Sequence, residues 1–393
     1  MPQSVFSVGC FWLPLIYYLK GVYILRKRKW LVMCAILTVL VFSVVAISGC
    51  GADAPVGNDA DAAFAETFHW TIATPWPSGI MLQDMPRIWA EKVEQMSGGR
   101  LTISVEPAGA IVGAMEILDA THTGTIDGMH SWSGYWMGQH DAQVFFASIP
   151  MTMEPLSHAM WMWEEGLEYQ NRLYQEEMGL NVVAFLGGST HPEIGAMATY
   201  PLADLSDWQG TRFRVPGWMA EILTDMGVAV VALPGAEVYP SLERGVIDAA
   251  EFSSPLVNHQ LGFHEITDYF TGPGFHQPSV LFEITINKDA YEALPPDLQY
   301  IVEYAALVTT MESWTMDVVE GIRVLREWEE DYGLTPVRMS NEAQLEFRSQ
   351  AWEFIDARVQ DDPLTQEIWE SARNFFIEFN EYEDFMVPIR DLP

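Results

Sequence analysis

The sequence predicts an α/β protein of two domains, with mostly parallel sheets. Three observations lead there. Short apolar strands alternate with amphipathic helices from residue 68 to residue 287. The chain has 393 residues, and a domain takes about 100–200. Hydrophobic residues make up 49% and aromatic residues 12%, which can bury a large core and excludes gross disorder.

Phe68–Ala73 reads as the first strand. Gly79–Met96 reads as an amphipathic helix with Ile80, Ile88, Trp89, Val93 and Met96 inward, stopped by Ser97-Gly98-Gly99. Leu101–Glu106 is a second strand and Gly113–Thr123 a second helix. Residues 156–179 suit a helix, and Asn181–Leu186 a buried strand. After Pro201 the pattern repeats: strand Arg212–Val215, helix 217–226, strand Val228–Leu233, helix 236–244 and strand Ile247–Glu251. Val280–Asn287 is a further strand. Pro295-Pro296 then opens one long helix to about Tyr332, well beyond the average helix of ~11–12 residues. Two helices follow, near 341–357 and 364–383. In the last, Ile368, Ala372, Phe375, Phe376 and Phe379 form one stripe, which serves core packing or docks a second copy of the chain.

The N-terminus reads as an address. Arg26-Lys27-Arg28-Lys29 precedes an apolar run from Trp30 to Ile47, which ends in Ile47-Ser48-Gly49-Cys50. This is the pattern of an export signal, with Cys50 placed like the lipidated cysteine of a bacterial lipobox. An uncleaved membrane anchor is the alternative, since the run is near the ~18-residue threshold for a span. Residues 1–49 are thus an export signal of lipoprotein type, and residues 50–66 a small, acidic, flexible tether. Cys10 and Cys34 leave with the signal and Cys50 is acylated, so no thiol remains for a disulfide, a zinc site or a nucleophile.

Charge excludes another class. Residues 50–393 carry 15 basic and 54 acidic side chains, a formal charge of −39. No basic face is available to displace counterions from nucleic acid. Only Lys92 and Lys288 remain as lysines after residue 50, a balance that suits solubility in high salt. Enzyme signatures are missing as well. Gly188-Ser189-Thr190-His191 is not a nucleophile elbow. His264-Glu265-Ile266-Thr267-Asp268 lacks the second histidine of a zincin. No P-loop or dinucleotide fingerprint occurs. A carboxylate pair of glycosidase type stays open, because acids are plentiful.

Residues 208–266 (WQGTRFRVPGWMAEILTDMGVAVVALPGAEVYPSLERGVIDAAEFSSPLVNHQLGFHEI) and 269–299 (YFTGPGFHQPSVLFEITINKDAYEALPPDLQ) resemble the solute-binding proteins of TRAP (tripartite ATP-independent periplasmic) transporters. So do GRLTISVEPAGAIVGAMEILDATHTGTIDGMH, SGYWMG and FFASIPM in the first half. The resemblance covers roughly residues 67–380. It implies a two-lobe periplasmic-binding-protein fold of the DctP type, with crossing strands and a long spine helix. Residues 67–190 would be mainly the first lobe and 191–290 mainly the second. Residues 291–393 would pack the long helix and C-terminal helices across both. It also implies a periplasmic protein that catalyses nothing and delivers a small organic acid to membrane permease subunits.

The closest likeness is to the subgroup that binds 2-oxo acids such as pyruvate, or lactate-like hydroxy acids, with a metal cation. By that likeness Arg214 grips the substrate carboxylate, for which a guanidinium offers two parallel charged hydrogen bonds. Glu251, through its side chain, and Phe252, through its carbonyl, hold the cation, Na⁺ or Ca²⁺. Gln277 stands where the subgroup often has Glu, and Glu193 where it usually has Gln, so both are candidate ligands of substrate and metal. A carboxylate at 193 favours a harder or divalent ion such as Ca²⁺. Phe252 replaces the usual Trp, which alters the pocket wall. Tyr135 and Trp136 are candidates to line the cleft. So is Trp76, because strand C-terminal ends face ligand crevices in such sheets. Two other functions stay open: a ligand sensor for a membrane kinase, and a metal-assisted hydrolase using Glu251 and Glu193.

Overall fold

The computed structural model describes residues 66–388, apart from residues 232 and 234. The expected export signal, Cys50 and nearly all of the tether lie outside the described residues. Among the described residues no helix is long and apolar enough to cross a membrane.

The strands run, in chain order, β1 (Phe68–Ala73), β2 (Leu101–Glu106), β3 (Gly128–Ser131), β4 (Val182–Thr190), β5 (Ala196–Ala198), β6 (Arg212–Arg214), β7 (Ala229–Val231), β8 (Ala249–Ala250), β9 (Tyr269–Gly272), β10 (Val280–Asn287) and β11 (Thr335–Arg338). They form two sheets, ordered β2-β1-β3-β10-β4 and β11-β9-β5-β8-β6-β7. Each sheet is the centre of one lobe. The chain crosses from the first sheet to the second between β4 and β5, and returns between β9 and β10.

The sheets are mixed rather than mostly parallel. Every antiparallel pairing involves β10 or β5, the strands at the crossings. A chain that leaves one sheet and returns to it enters against the direction of its neighbours. The return also moves a boundary: β10 sits in the first sheet, so the second lobe's segment ends before Val280, not at residue 290.

The strands with strong apolar patterns form where the pattern puts them. The β1 and β2 pair in register from Phe68↔Leu101 to Ala73↔Glu106. The helix Met81–Ser97 ends at Gly98 in the left-handed conformation, whose N–H reaches the carbonyls of Glu94 and Gln95. Met96, expected inward, is 51% exposed. The stretch 156–179 is not one regular helix. Pro155–Trp161 and Leu167–Arg172 alternate with π-type turns at Met162–Gly166 and Leu173–Glu177. The β4 strand runs on to Thr190 because Gly187 is absorbed as a bulge against β10. A Cβ at Gly187 would lie 2.6 Å from the Glu283 carbonyl carbon.

The spine helix, Pro296–Glu330, has 35 residues and is ~52 Å long at 1.5 Å per residue. Its N-terminal part buries Leu298, Val302, Ala305 and Ala306 with Trp70, Trp89 and Phe185 of the first lobe. Its C-terminal part buries Val324 and Trp328 among second-lobe residues such as Phe263 and Phe270. Between them the buried face turns small and polar: Thr309, Thr310, Ser313 and Asp317. On another side Arg358 pairs with Asp141 of the first lobe at 2.8 Å and Glu221 of the second at 2.9 Å. Such part-exposed pairs contribute about 0–1 kcal/mol each.

Glu283 on β10 is buried and accepts hydrogen bonds from Trp136 Nε1 (3.3 Å), Gln170 Nε2 (2.8 Å), Tyr174 OH (2.9 Å) and Thr285 Oγ1 (2.9 Å). Burial raises its pKa from 4.5 to about 7 against the pull of these donors, and raises that of Asp317 to about 6. The folded protein then holds protons that the unfolded chain releases, and stability is lost as pH rises through these values. For Glu283 the effect is about 3 kcal/mol. In high salt the melting temperature should fall between about pH 5 and pH 8, and Glu283→Gln should flatten that fall. A flat wild-type profile would contradict the buried protonated carboxyl.

Candidate ligand and metal site

The site forms where both crossings meet the C-terminal ends of the second sheet. The β6 and β8 strands are parallel neighbours, with Arg214 opposite Ala250. Arg214 therefore ends one strand while Glu251 follows the other. Its Nη1 donates to Glu251 Oε1 at 2.6 Å and to the Glu251 carbonyl at 2.9 Å, and its Nε to the Leu233 carbonyl at 3.2 Å. Only Nη2 carries no hydrogen bond among the described residues. The guanidinium carbon lies 5.6 Å from the centre of the Phe252 ring.

Glu193 arrives on the first crossing, and His276 and Gln277 on the second. The Glu193 N–H donates to the Gln277 carbonyl at 3.2 Å, and the Ile194 N–H to the Ser253 carbonyl at 3.2 Å. The crossings touch closely because Gly274 has no side chain. A Cβ there would sit 2.1 Å from the Glu193 carbonyl oxygen. That contact brings His276 Nε2 to 3.1 Å from Glu193 Oε2 and 3.2 Å from Glu251 Oε2. All three groups are buried.

These four side chains make a chain of alternating charge. Burial alone would raise Glu251, but Arg214 and His276 hold its pKa at about 2. Burial and the Glu251 charge push Glu193 well above the usual carboxylate range, although His276 pulls the other way. Burial would lower His276, yet its bonds to both carboxylates hold it at about 9. Both His276 and Glu193 are thus shifted toward their protonated forms, and the hydrogen bond between them holds a proton.

The cavity beside them is lined by Trp76, Leu82, Trp132, Tyr135, Phe252 and Phe282, with Glu193, Arg214, Glu251 and Gln277. Its free volume is about 40 Å³, on a scale where one water needs about 10–15 Å³. Trp76 packs edge-on against Phe282 at 5.8 Å and tilted against Tyr135 at 5.7 Å. Burial pushes the Tyr135 hydroxyl up, with Arg214 opposing and both glutamates adding.

The structure thus brings together Arg214, Glu193, Glu251, Phe252, Gln277, Tyr135 and Trp76. Trp136 is the exception: it faces away from the cavity and donates to Glu283 instead. Two residues were missed. His276 went unnoticed although it adjoins Gln277; a histidine in an apolar Phe275-His276 step, one residue from a candidate ligand, was the available signal. Trp132 lines the cavity with its buried indole N–H unpartnered among the described residues.

A cation fits the donor set. The carboxyl groups of Glu193 and Glu251 converge beside His276, one atom from each of the three within 4.8 Å of the others, so the two glutamates could meet one cation. Carboxylate, amide and carbonyl oxygens suit Na⁺ or Ca²⁺.

The pattern of the family described as bacterial extracellular solute-binding protein, family 7 (DctP) matches residues 74–356. The chain belongs to this family. A monocarboxylate 2-oxoacid-binding periplasmic protein of Nostoc is 30% identical over 240 residues, 61% of this chain and 65% of that protein's length. The match therefore spans a little less than two thirds of that relative. Two solved TRAP periplasmic solute-binding proteins are each 26% identical and cover 82% of this chain. One, from Pseudoalteromonas atlantica, holds sodium and pyruvate; the chain covers 97% of it with a TM-score of 0.75. The other, from Colwellia psychrerythraea, holds calcium and pyruvate, with 98% coverage and a TM-score of 0.76. The two-lobe fold is that of TRAP solute-binding proteins.

Gly274→Ala should separate the crossings. It should destabilise the protein by about 1–3 kcal/mol, the usual cost of overpacking, and weaken ligand binding. Urea unfolding checks this; an unchanged midpoint would mean that the two backbones can part freely.

Proposed function

We propose that this family member captures a small 2-oxo monocarboxylate, pyruvate or a close relative, together with a metal cation, and hands it to TRAP permease subunits. The observation that carries the reading is the buried Arg214–Glu251–His276–Glu193 chain opening onto a small aromatic cavity. The Nostoc relative and the two pyruvate-bound neighbours support it.

The chemistry follows from charge. With both glutamates and His276 charged the four-group set is neutral, and an acid anion then adds one uncompensated charge in a desolvated site. Two unit charges 4 Å apart interact by about 4 kcal/mol at an effective dielectric of ~20, and each ~1.4 kcal/mol is tenfold in affinity. A cation supplies the missing charge and can bind both the acid and the protein carboxylates. Glu251, the Phe252 carbonyl, Glu193 and Gln277 would hold it. Arg214 Nη2 and the Trp132 indole N–H are the donors left for the acid. The aromatic walls of Trp76, Tyr135 and Phe252 exclude water. A few heavy atoms fill the available volume, which favours a three- or four-carbon acid over a sugar.

The reading makes the protein a receptor without turnover. Glu193 and Glu251 both pair with the buried His276 imidazole. Residues 67–190 and 191–279 supply the two walls. Export, lipid anchoring through Cys50, and a second copy docking on the helix Pro363–Met386 belong to the same proposal. The exposed Ile377, Tyr382, Phe385 and Met386 on that helix support the last.

Pyruvate with calcium or sodium should raise the melting temperature, by ~2.7 kcal/mol of stability at 100-fold excess over Kd. Removing the cation should abolish most of that gain. Glu251→Ala should abolish it too. Arg214→Lys should weaken it, because an ammonium cannot replace a fork held at three points. Equal pyruvate affinity in exhaustively demetallated protein would sink the metal half of the proposal. No response to any 2-oxo, 2-hydroxy or dicarboxylic acid would sink the rest.

A further inference from the structure

The spine helix buries one carboxylate that the ligand site does not use. Asp317 is 1% exposed and has no cationic partner among the described residues. Its Oδ2 accepts the His191 N–H at 2.7 Å, and its Oδ1 accepts the Ser254 hydroxyl at 2.6 Å. A buried carboxylate held only by neutral donors is costly. An apolar side chain would fill the place more cheaply if packing were the only need.

Both partners stand next to the site. His191 is the first residue past β4, two before Glu193. Ser254 is three past Glu251. Ser254 is also the N-cap of the helix Pro255–Gln260, yet its hydroxyl makes no capping bond there, although serine is among the favoured caps. The hydroxyl goes to Asp317 instead. One turn earlier on the spine, Ser313 Oγ accepts the Ser189 N–H at 3.0 Å. Ser253, between Phe252 and Ser254, ties the two segments to each other through Ile194 N–H and to the helix through Asn258 Oδ1 at 3.1 Å.

We infer that Asp317 is the positioning residue that sets Glu193 and Glu251 at the right separation, by clamping the first crossing and the Glu251–Ser254 segment to the rigid spine helix. It touches neither the acid nor the cation. It acts through two hydrogen bonds and fixes the distance across which the ligand chemistry works. The inference rests on the proposed binding role for its functional meaning, but the positioning itself does not.

Three variants separate positioning from packing. Asp317→Asn keeps both bonds, since its carbonyl accepts from His191 and its amide donates to the Ser254 hydroxyl. Asp317→Leu keeps the volume and loses both. Ser254→Ala loses one. The affinity for pyruvate in calcium, measured well below each melting temperature, should stay near wild type for Asn. It should drop about 10–100-fold for Leu, the usual range for outer-shell partners of a metal site, with Ser254→Ala between. Hydrogen exchange on the unliganded protein reads the clamp directly. In Asp317→Leu the amides of 191, 193–195 and 251–254 should exchange faster while the rest of the second sheet stays as protected as in wild type. If Leu lowers only the melting temperature, with affinity and local exchange unchanged, Asp317 merely packs. If Asn loses as much as Leu, the negative charge rather than the clamp matters, and the inference is wrong. If no acid binds the wild type while the selective exchange change appears, the binding proposal fails and the clamp stands.

Discussion

The site depends on the ion pair between Arg214 and Glu251, 2.6 Å long and almost wholly buried. Breaking such a pair leaves an uncompensated charge in a low-dielectric site and costs about 3–5 kcal/mol. The surrounding architecture serves to keep both ends in place. Parallel pairing of β6 and β8 sets the two side chains at neighbouring strand ends. The Leu233 carbonyl holds the far side of the guanidinium, and His276 holds the far oxygen of Glu251. Remove His276 and Glu193 has no counterpart; remove Gly274 and His276 cannot reach.

Charge, not shape, distinguishes this pocket from an ordinary apolar crevice. On the proposed reading a strongly acidic protein has to attract an anion, and the cavity that would take it sets Arg214 and the two glutamates among the walls of Trp76, Trp132, Tyr135 and Phe252. Within the protein, Arg214 and His276 offset the interior cost of the two glutamates.

Much of the fold was legible in the residues, for physical reasons. The β1, β2 and β10 strands carry dense apolar or β-branched runs between clear breakers, and their ends fall where the pattern puts them. The spine helix follows from its length and its Pro295-Pro296 start. The strands β3, β5, β9 and β11 carry no such signal. Three or four residues, or a mixed segment such as Gly128-Met129-His130-Ser131, gain their strand character from the neighbours they pair with. The crossing of β10 back to the first sheet is a tertiary choice with no local signature. In the site, Arg214 and Glu251 were legible through family likeness. Glu193, Gln277 and Phe252 came from family likeness and converge on the same cavity. Trp136 failed because neighbours in a tight turn face opposite ways: Tyr135 enters the cavity while Trp136 serves Glu283. Asp317 had no local signature, because the burial that makes it unusual is set by the segments packed against it.

The most direct test is a crystal structure grown with pyruvate and calcium, with anomalous scattering recorded at the cation. The account predicts one anomalous peak in contact with Glu251 and the acid, with the acid's carboxylate on Arg214 and Glu193 within reach of the cation. Acid bound at Arg214 with no cation beside it, or a cation held elsewhere with the cavity filled by water, would contradict it.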